Sequence, residues 1–218
     1  RCLVEIYDIK SKDELKLKLD EVIKYLLSCY SGEKNTPEVQ RLKGMIREFE
    51  EDLVWSHYGV QTKDVSHLRL GFYQGDIFSE DPERQRDIIP ILNKFQEIEP
   101  TIITLALDPE GSGPDTHYKV LQAIAEAVRI WGKDTDLTKL KIWGYRNVWA
   151  RFDPAEADII VPVSLNSMAS LRDTFLTCYL SQKNASFPSY ELDGPFCDLV
   201  QKIWVEQIQT LQLVLGRD

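Results

Sequence analysis

The stretch from Thr101 to Val128 constrains the fold more than any other part of the chain. It opens with Thr-Ile-Ile-Thr-Leu-Ala-Leu, a short apolar, β-branched run that reads as a strand buried on both faces. It closes with apolar residues at Val120, Leu121, Ile124, Ala127 and Val128, the spacing of one helical face. Between them residues 108 to 117 read Asp-Pro-Glu-Gly-Ser-Gly-Pro-Asp-Thr-His. A strand, a polar glycine-rich loop and a helix place chemistry at the carboxyl edge of a parallel sheet.

The rest of the chain repeats that alternation. Strands are expected at Cys2 to Tyr7, Val65 to Leu70, Lys139 to Tyr145 and Ala157 to Val163. A helix is expected from Ser11 to Tyr30, with Ser11 as cap and Glu14 three residues on. Thr36-Pro37-Glu38 starts a second helix that stops at Gly59. A third begins at Asp81-Pro82-Glu83 and ends before Pro100. Ser164 caps one from Leu165 to about Leu180, and the last runs from Pro195 onward. Alternating strands and helices imply an α/β fold, a mostly parallel sheet with helices on both faces. With no repeat and no linker, one domain over residues 1–218 is the simplest organisation.

Hydrophobic residues make up 43% of the 218 and charged residues 28%, which fits a soluble globular protein. No apolar run approaches membrane-spanning length, so no membrane role is expected. Cys2, Cys29, Cys178 and Cys197 are scattered, which suggests thiols in a reducing, cytoplasmic compartment. A net charge of −9 argues against nucleic acid or an anionic membrane as partner. It leaves room for a small anionic substrate held by one or two arginines. The chain opens at Arg1 without an initiating methionine and reads as a piece of something longer.

Ligands bind outside the carboxyl ends of strands in such sheets. That rule collects Tyr73 and Asp76 after one strand, and Asp108, Glu110, Asp115 and His117 after the next. Tyr145, Arg146 and Trp149 follow a third. His117 falls in the first turn of its helix, where the dipole favours the neutral ring that a metal ligates. A lone histidine there is more often one that only hydrogen-bonds a neighbour. Asp115 can cap the helix, act in catalysis, or both. His67, at the start of its strand, reads as structural. Arg47 and Glu50, three apart on one helix, can form a surface ion pair. A catalytic zinc takes three protein ligands, and among the histidines His117 alone is well placed. No dinucleotide fingerprint, phosphate loop or nucleophile elbow is present. On the residues alone the crevice is defined and the reaction is not.

Several segments resemble the LmbE/PIG-L family of zinc-dependent de-N-acetylases. Asp108-Pro109-Glu110-Gly111 and Pro114-Asp115-Thr116-His117 are similar to its second metal motif. Arg47-Glu48-Phe49-Glu50 resembles its Arg-x-x-Glu helix, Leu68 to Tyr73 the strand and loop after it, and Ser181-Gln182 a late Ser-Gln. The likeness runs over roughly residues 36 to 215. The segments from Ser28 to Glu33 and from Lys141 to Trp149 are more specifically similar to the carboxyl-terminal LmbE-like region of long bacterial proteins. In those proteins a glucosamine-6-phosphate deaminase-like domain comes first.

The resemblance implies a Rossmann-like three-layer fold and amino-sugar metabolism. Zinc would be held by His117 with a His and an Asp from an early His-Pro-Asp-Asp motif, whose other Asp would be the general base. Zinc-bound hydroxide would attack the N-acetyl carbonyl of an N-acetylglucosamine-type substrate. Asp115 would belong to the catalytic set, and Arg47, Tyr73, Asp108, Glu110, Tyr145, Arg146 and Trp149 to substrate binding. Expected partners are an amino sugar or sugar phosphate, an adjoining deaminase-like domain and further copies of the chain. The chain contains no His-Pro-Asp-Asp. Either that motif lies upstream, with the first strand, or this is a degenerate module that binds a sugar phosphate or packs against its neighbour domain.

Overall fold

In the computed structural model, residues 1–30, 33–72, 79–107, 115–146, 151–184 and 194–216 are described. Their elements are α1 (Cys2–Tyr7), α2 (Lys12–Ser28), α3 (Pro37–His57), α4 (Ile89–Ile98), β1 (Ile102–Ala106), α5 (Asp115–Trp131), β2 (Lys141–Tyr145), α6 (Leu165–Cys178) and α7 (Phe196–Leu215). They fall into two compact units, one of residues 1–67 and 164–197, the other of residues 68–163 and 198–218.

The first unit is helical among its described residues. The Ser11 hydroxyl accepts from the Glu14 N–H at 3.1 Å, and the Glu14 carboxylate accepts in return from the Lys10 N–H at 3.0 Å. Those bonds start α2 where the cap pattern placed it. Thr36 caps α3 through the Val39 N–H at 3.4 Å, and Gly59, at φ 85°, lets the chain turn away after it. Ser164 caps α6 through the Ser167 N–H at 3.1 Å. Helix α3 packs against α1 and against α6. The Tyr25 hydroxyl on α2 accepts from the Thr36 N–H at 3.2 Å, fixing the connection between α2 and α3.

The second unit is built on the central strand–loop–helix stretch. β1 and β2 pair in parallel, from Ile102 opposite Lys141 to Ala106 opposite Tyr145, with α5 between them in sequence. The Leu107 N–H then donates to the Tyr145 carbonyl at 2.7 Å, extending the pairing by one residue. Ile103 and Leu105 of β1 join Ile88, Ile91, Leu92 and Phe95 at α4 and Ala123, Ala127 and Trp131 of α5 in one apolar core. The small Ala123 and Ala127 allow close approach, and Trp131 fills the end of the core against Phe95, ring centroids 5.6 Å apart. Gly144 in β2 lies so close to Leu107 that a Cβ there would come within 2.7 Å of its side chain.

Several elements differ from the sequence expectation. Cys2–Tyr7 is a helix, not a strand. Cys2, Leu3, Ile6 and Tyr7 share its half-buried face, a helical spacing hidden in a short apolar run. Residues 65–70 form no strand, and Arg69 turns through φ 50°, which a ladder does not accommodate. Residues 157–163 form none either, and Pro162 removes a ladder donor there. The third helix begins as a π-helical turn, Arg84–Ile88, before α4. Pro90, lacking an N–H, sits where the register narrows. β1 is buried on one face only, with Ile102 45% exposed on the other. All five residues of β2 are exposed. Two strands are thus the whole sheet among the described residues.

Candidate functional site

The carboxyl ends of β1 and β2 and the first turn of α5 define a rim on the second unit. Asp115 and His117 lie in that turn, as the sequence spacing predicts. Asp115 is the first helical residue, and its carboxylate faces two partners. It accepts from the Ser79 hydroxyl at 2.6 Å and lies 3.1 Å from Lys119 Nζ, one helical turn on. Ser79 and Lys119 together hold the Asp115 carboxyl below its ordinary value. Lys119 is 9% exposed, and its ammonium also donates to the Ser79 carbonyl at 2.5 Å and lies 3.4 Å from Asp81. Burial works against that charge, yet Asp115 and Asp81 outweigh it and raise the lysine's pKa.

His117 is half-buried. Residues two apart on a helix stand about 200° apart around the axis, so Asp115 and His117 do not share a face. Among the described residues no group of three His, Cys, Asp or Glu side chains could hold a metal ion. Asp115 is moreover neutralised by an ammonium. The described residues therefore do not make up a zinc site.

β2 ends in Tyr145, exposed, and Arg146 follows it. The Arg146 guanidinium stacks on Phe152, 4.2 Å from the ring centroid. One Nη lies 3.8 Å from Glu156, too far for a hydrogen bond. Its Nε is buried, with no hydrogen-bond partner among the described residues. Tyr73, Asp108, Glu110 and Trp149 lie outside the described residues.

A residue the sequence reading missed supports the same region. Asp87, in the turn before α4, is fully buried. It accepts from the Gly71 N–H at 2.6 Å, the Glu83 N–H at 2.8 Å and Arg86 Nε at 3.0 Å. Burial alone would push its carboxyl up, but the Glu83 and Gly71 amides and Arg86 overcome it and lower the pKa. Nothing local marks Asp87 as more than an acid near a helix start. The Lys119 pair was legible in principle, as a lysine four residues after an aspartate.

In the first unit the structure joins two segments singled out separately in the sequence. Glu50 on α3 is 4% exposed, and it accepts from the Ser181 N–H at 2.7 Å and the Ser181 hydroxyl at 2.6 Å. Among the described residues no ion pair links Glu50 to Arg47, whose side chain is exposed. The neighbouring Glu51 accepts from the Tyr179 hydroxyl. Burial, then Glu51, push that phenol far above its ordinary value. Gln182 donates to the Ser181 carbonyl at 3.1 Å. His67 Nε2 lies 3.1 Å from Asp52 on α3. Arg47 belongs to this unit, and Asp115, His117, Tyr145 and Arg146 to the other.

The four cysteines are free thiols. Among the described residues no helix is long and apolar enough to cross a membrane. No family model matches the chain, and no solved structure does. Over 180 residues, 78% of the chain, it is 27% identical to a protein of Bacteroides thetaiotaomicron named as glucosamine-6-phosphate deaminase-like. The match takes in 26% of that protein, so the chain spans about a quarter of the relative's length.

Proposed function

We propose that the chain serves amino-sugar metabolism by binding an amino sugar at the rim formed by the ends of β1 and β2 and the start of α5. The observation that carries the reading is the rim itself. A parallel pair with a connecting helix is the nucleus of a Rossmann-like sheet, and its carboxyl edge carries Tyr145 and Arg146. The name of the Bacteroides relative supports glucosamine-type chemistry. An exposed tyrosine beside an arginine suits a sugar, offering a ring face and fixed donors. On the same reading the module works in the cytoplasm, beside a deaminase-like domain in a longer protein, and more than one copy can assemble.

Saturation-transfer NMR of the full chain with glucosamine, with N-acetylglucosamine and with glucose tests it. Signal from the amino sugars, reduced by Tyr145→Ala, is the expected result. Equal signal from glucose, or none from any sugar, refutes it.

A second reading, zinc-dependent de-N-acetylation once further ligands are supplied, draws on two observations. His117 lies in the first turn of α5, and Glu50 bonds Ser181, uniting the Arg-x-x-Glu and Ser-Gln segments. Its measurements are zinc content and acetate release from N-acetylglucosamine derivatives by the longer protein. Zinc content unchanged by His117→Ala removes this reading.

A further inference from the structure

We infer that Arg146 is a phosphoryl-binding residue, so that the ligand of the rim is an amino-sugar phosphate; the identity of the sugar rests on the function proposed above, the phosphoryl contact does not. Three features of this side chain carry the inference. It follows the last paired residue of β2, at the carboxyl edge where parallel sheets present ligands. Its guanidinium is held by one face on the Phe152 ring, 4.2 Å from the centroid, so its fork lies in the plane across that ring. Its Nε–H is buried without an acceptor among the described residues, and the side chain is only 25% exposed. A buried donor of a charged group with no acceptor is costly in a finished structure. An anion that accepts from Nε–H and the adjacent Nη–H removes that cost, and the fork geometry fits a phosphoryl group.

Glu156 does not fill the role. Its Oε2 stands 3.8 Å from an Arg146 Nη and lies 3.4 Å from the Asp153 N–H, within the capping of the turn Pro154–Glu156. It is close enough to repel an incoming anion and too far to satisfy the guanidinium. It therefore sets the affinity of the subsite from outside. On a chain of net charge −9, a fixed cation without a hydrogen-bonded carboxylate among the described residues also discriminates an anionic sugar from a neutral one.

Calorimetric titration of the full chain with glucosamine-6-phosphate, glucosamine and inorganic phosphate tests this, alongside Arg146→Gln, Arg146→Lys and Glu156→Gln. Circular dichroism melts restrict the comparison to variants that fold. Glucosamine-6-phosphate is expected to bind more tightly than glucosamine. Arg146→Gln should weaken it by about tenfold to a hundredfold, the scale of charge-assisted hydrogen bonds, and weaken glucosamine by much less. Arg146→Lys keeps the charge without the fork and should fall between. Glu156→Gln should tighten phosphate binding several-fold. In a nitrogen-edited spectrum the Arg146 Nε–H signal should shift and exchange more slowly when phosphate is added. If phosphate binds and depends on Arg146 but neither sugar adds affinity, the subsite stands and the amino-sugar reading fails. If glucosamine-6-phosphate binds equally well to wild type and Arg146→Gln, the subsite is refuted and the amino-sugar reading survives. Failure of both phosphate ligands to bind the wild type also refutes the subsite.

Discussion

Replacing Asp87 measures what a buried charge contributes to the ground beneath the rim. The carboxylate is fully buried and every partner it has is a donor: the Gly71 N–H at 2.6 Å, the Glu83 N–H at 2.8 Å and Arg86 Nε at 3.0 Å. Asp87→Ala leaves all three without this acceptor. Glu83 is exposed and its amide recovers a bond from water, and Arg86 keeps Glu80 at 2.5 Å, so both losses are partial. The Gly71 amide is half-buried and loses its bond to the carboxylate. With about 1.5–3 kcal/mol for a hydrogen bond to a charged group and smaller contributions from the others, the loss sums to about 2–4 kcal/mol. Asp87→Asn is isosteric but recovers little, because whichever way the amide is turned its NH2 meets a donor; about 1–3 kcal/mol is expected.

The pH dependence follows from the same contacts. The folded pKa of Asp87 is lowered, so its contribution is present above the unfolded carboxylate value of about 3.9 and is lost as pH falls through the folded value. Urea denaturation should therefore separate wild type from Asp87→Asn by a constant amount at neutral pH. The gap should close as the solution is taken below about pH 4. Amide hydrogen exchange reads the effect locally, with Gly71 losing protection in both variants. A gap that persists unchanged into acid, or unaltered exchange at Gly71, refutes the account.

Two further substitutions probe the polar networks. Ser181→Ala removes one of the two bonds to the buried Glu50 carboxylate, and a thermal melt should register a loss of about 1.5–3 kcal/mol; a change within error would mean that water replaces the hydroxyl. Lys119→Met keeps the aliphatic stem but removes the ammonium from Asp115, so carboxyl-carbon NMR should show the Asp115 midpoint rising. The return to the ordinary value should be partial because the Ser79 bond remains. An unmoved midpoint would show that Ser79 alone sets it.

The parts of the fold legible in the sequence are those decided by short-range bonds. Ser11, Thr36 and Ser164 each cap the helix that their position announced, because a hydroxyl and an amide three residues apart need no tertiary partner. The central unit was legible because its switch from strand to helical spacing is unambiguous over 28 residues, Thr101 to Val128. Six-residue apolar runs were not. Cys2–Tyr7 satisfies either period, and packing on α3 decides for the helix. The expectation of burial on both faces of β1 failed because composition reports that a run is apolar, not how many neighbours cover it. At the site, the placing of Asp115 and His117 in one helical turn was legible, and so was Arg146 at a strand end. Glu50 with Ser181 was not, since a pairing across 131 positions leaves no periodic trace.

Buried charges in the second unit share a purpose that no single pair reveals. Asp87 holds the Gly71 amide, and Lys119 with Asp115 holds Ser79 through its carbonyl and hydroxyl. The Glu80 N–H donates to the Phe72 carbonyl at 2.9 Å, joining the two anchors. Arg86 bridges the two anchors, bonding Asp87 on one side and the Asp81 carbonyl at 3.1 Å on the other, while the Asp81 carboxylate faces Lys119. Gly71 and Ser79 are thus both held by ions. Burying an ion is expensive and is tolerated where it fixes a position that apolar packing leaves free. Two tethers joined through the Glu80–Phe72 bond and through Arg86 are not energetically independent: once one is released, the other restrains less. The double variant Asp87→Asn with Lys119→Met should consequently lose less stability than the sum of the single variants. The shortfall should exceed about 0.5 kcal/mol, the scatter found for unconnected sites. Additive losses in urea would mean that the two ions serve separate neighbourhoods.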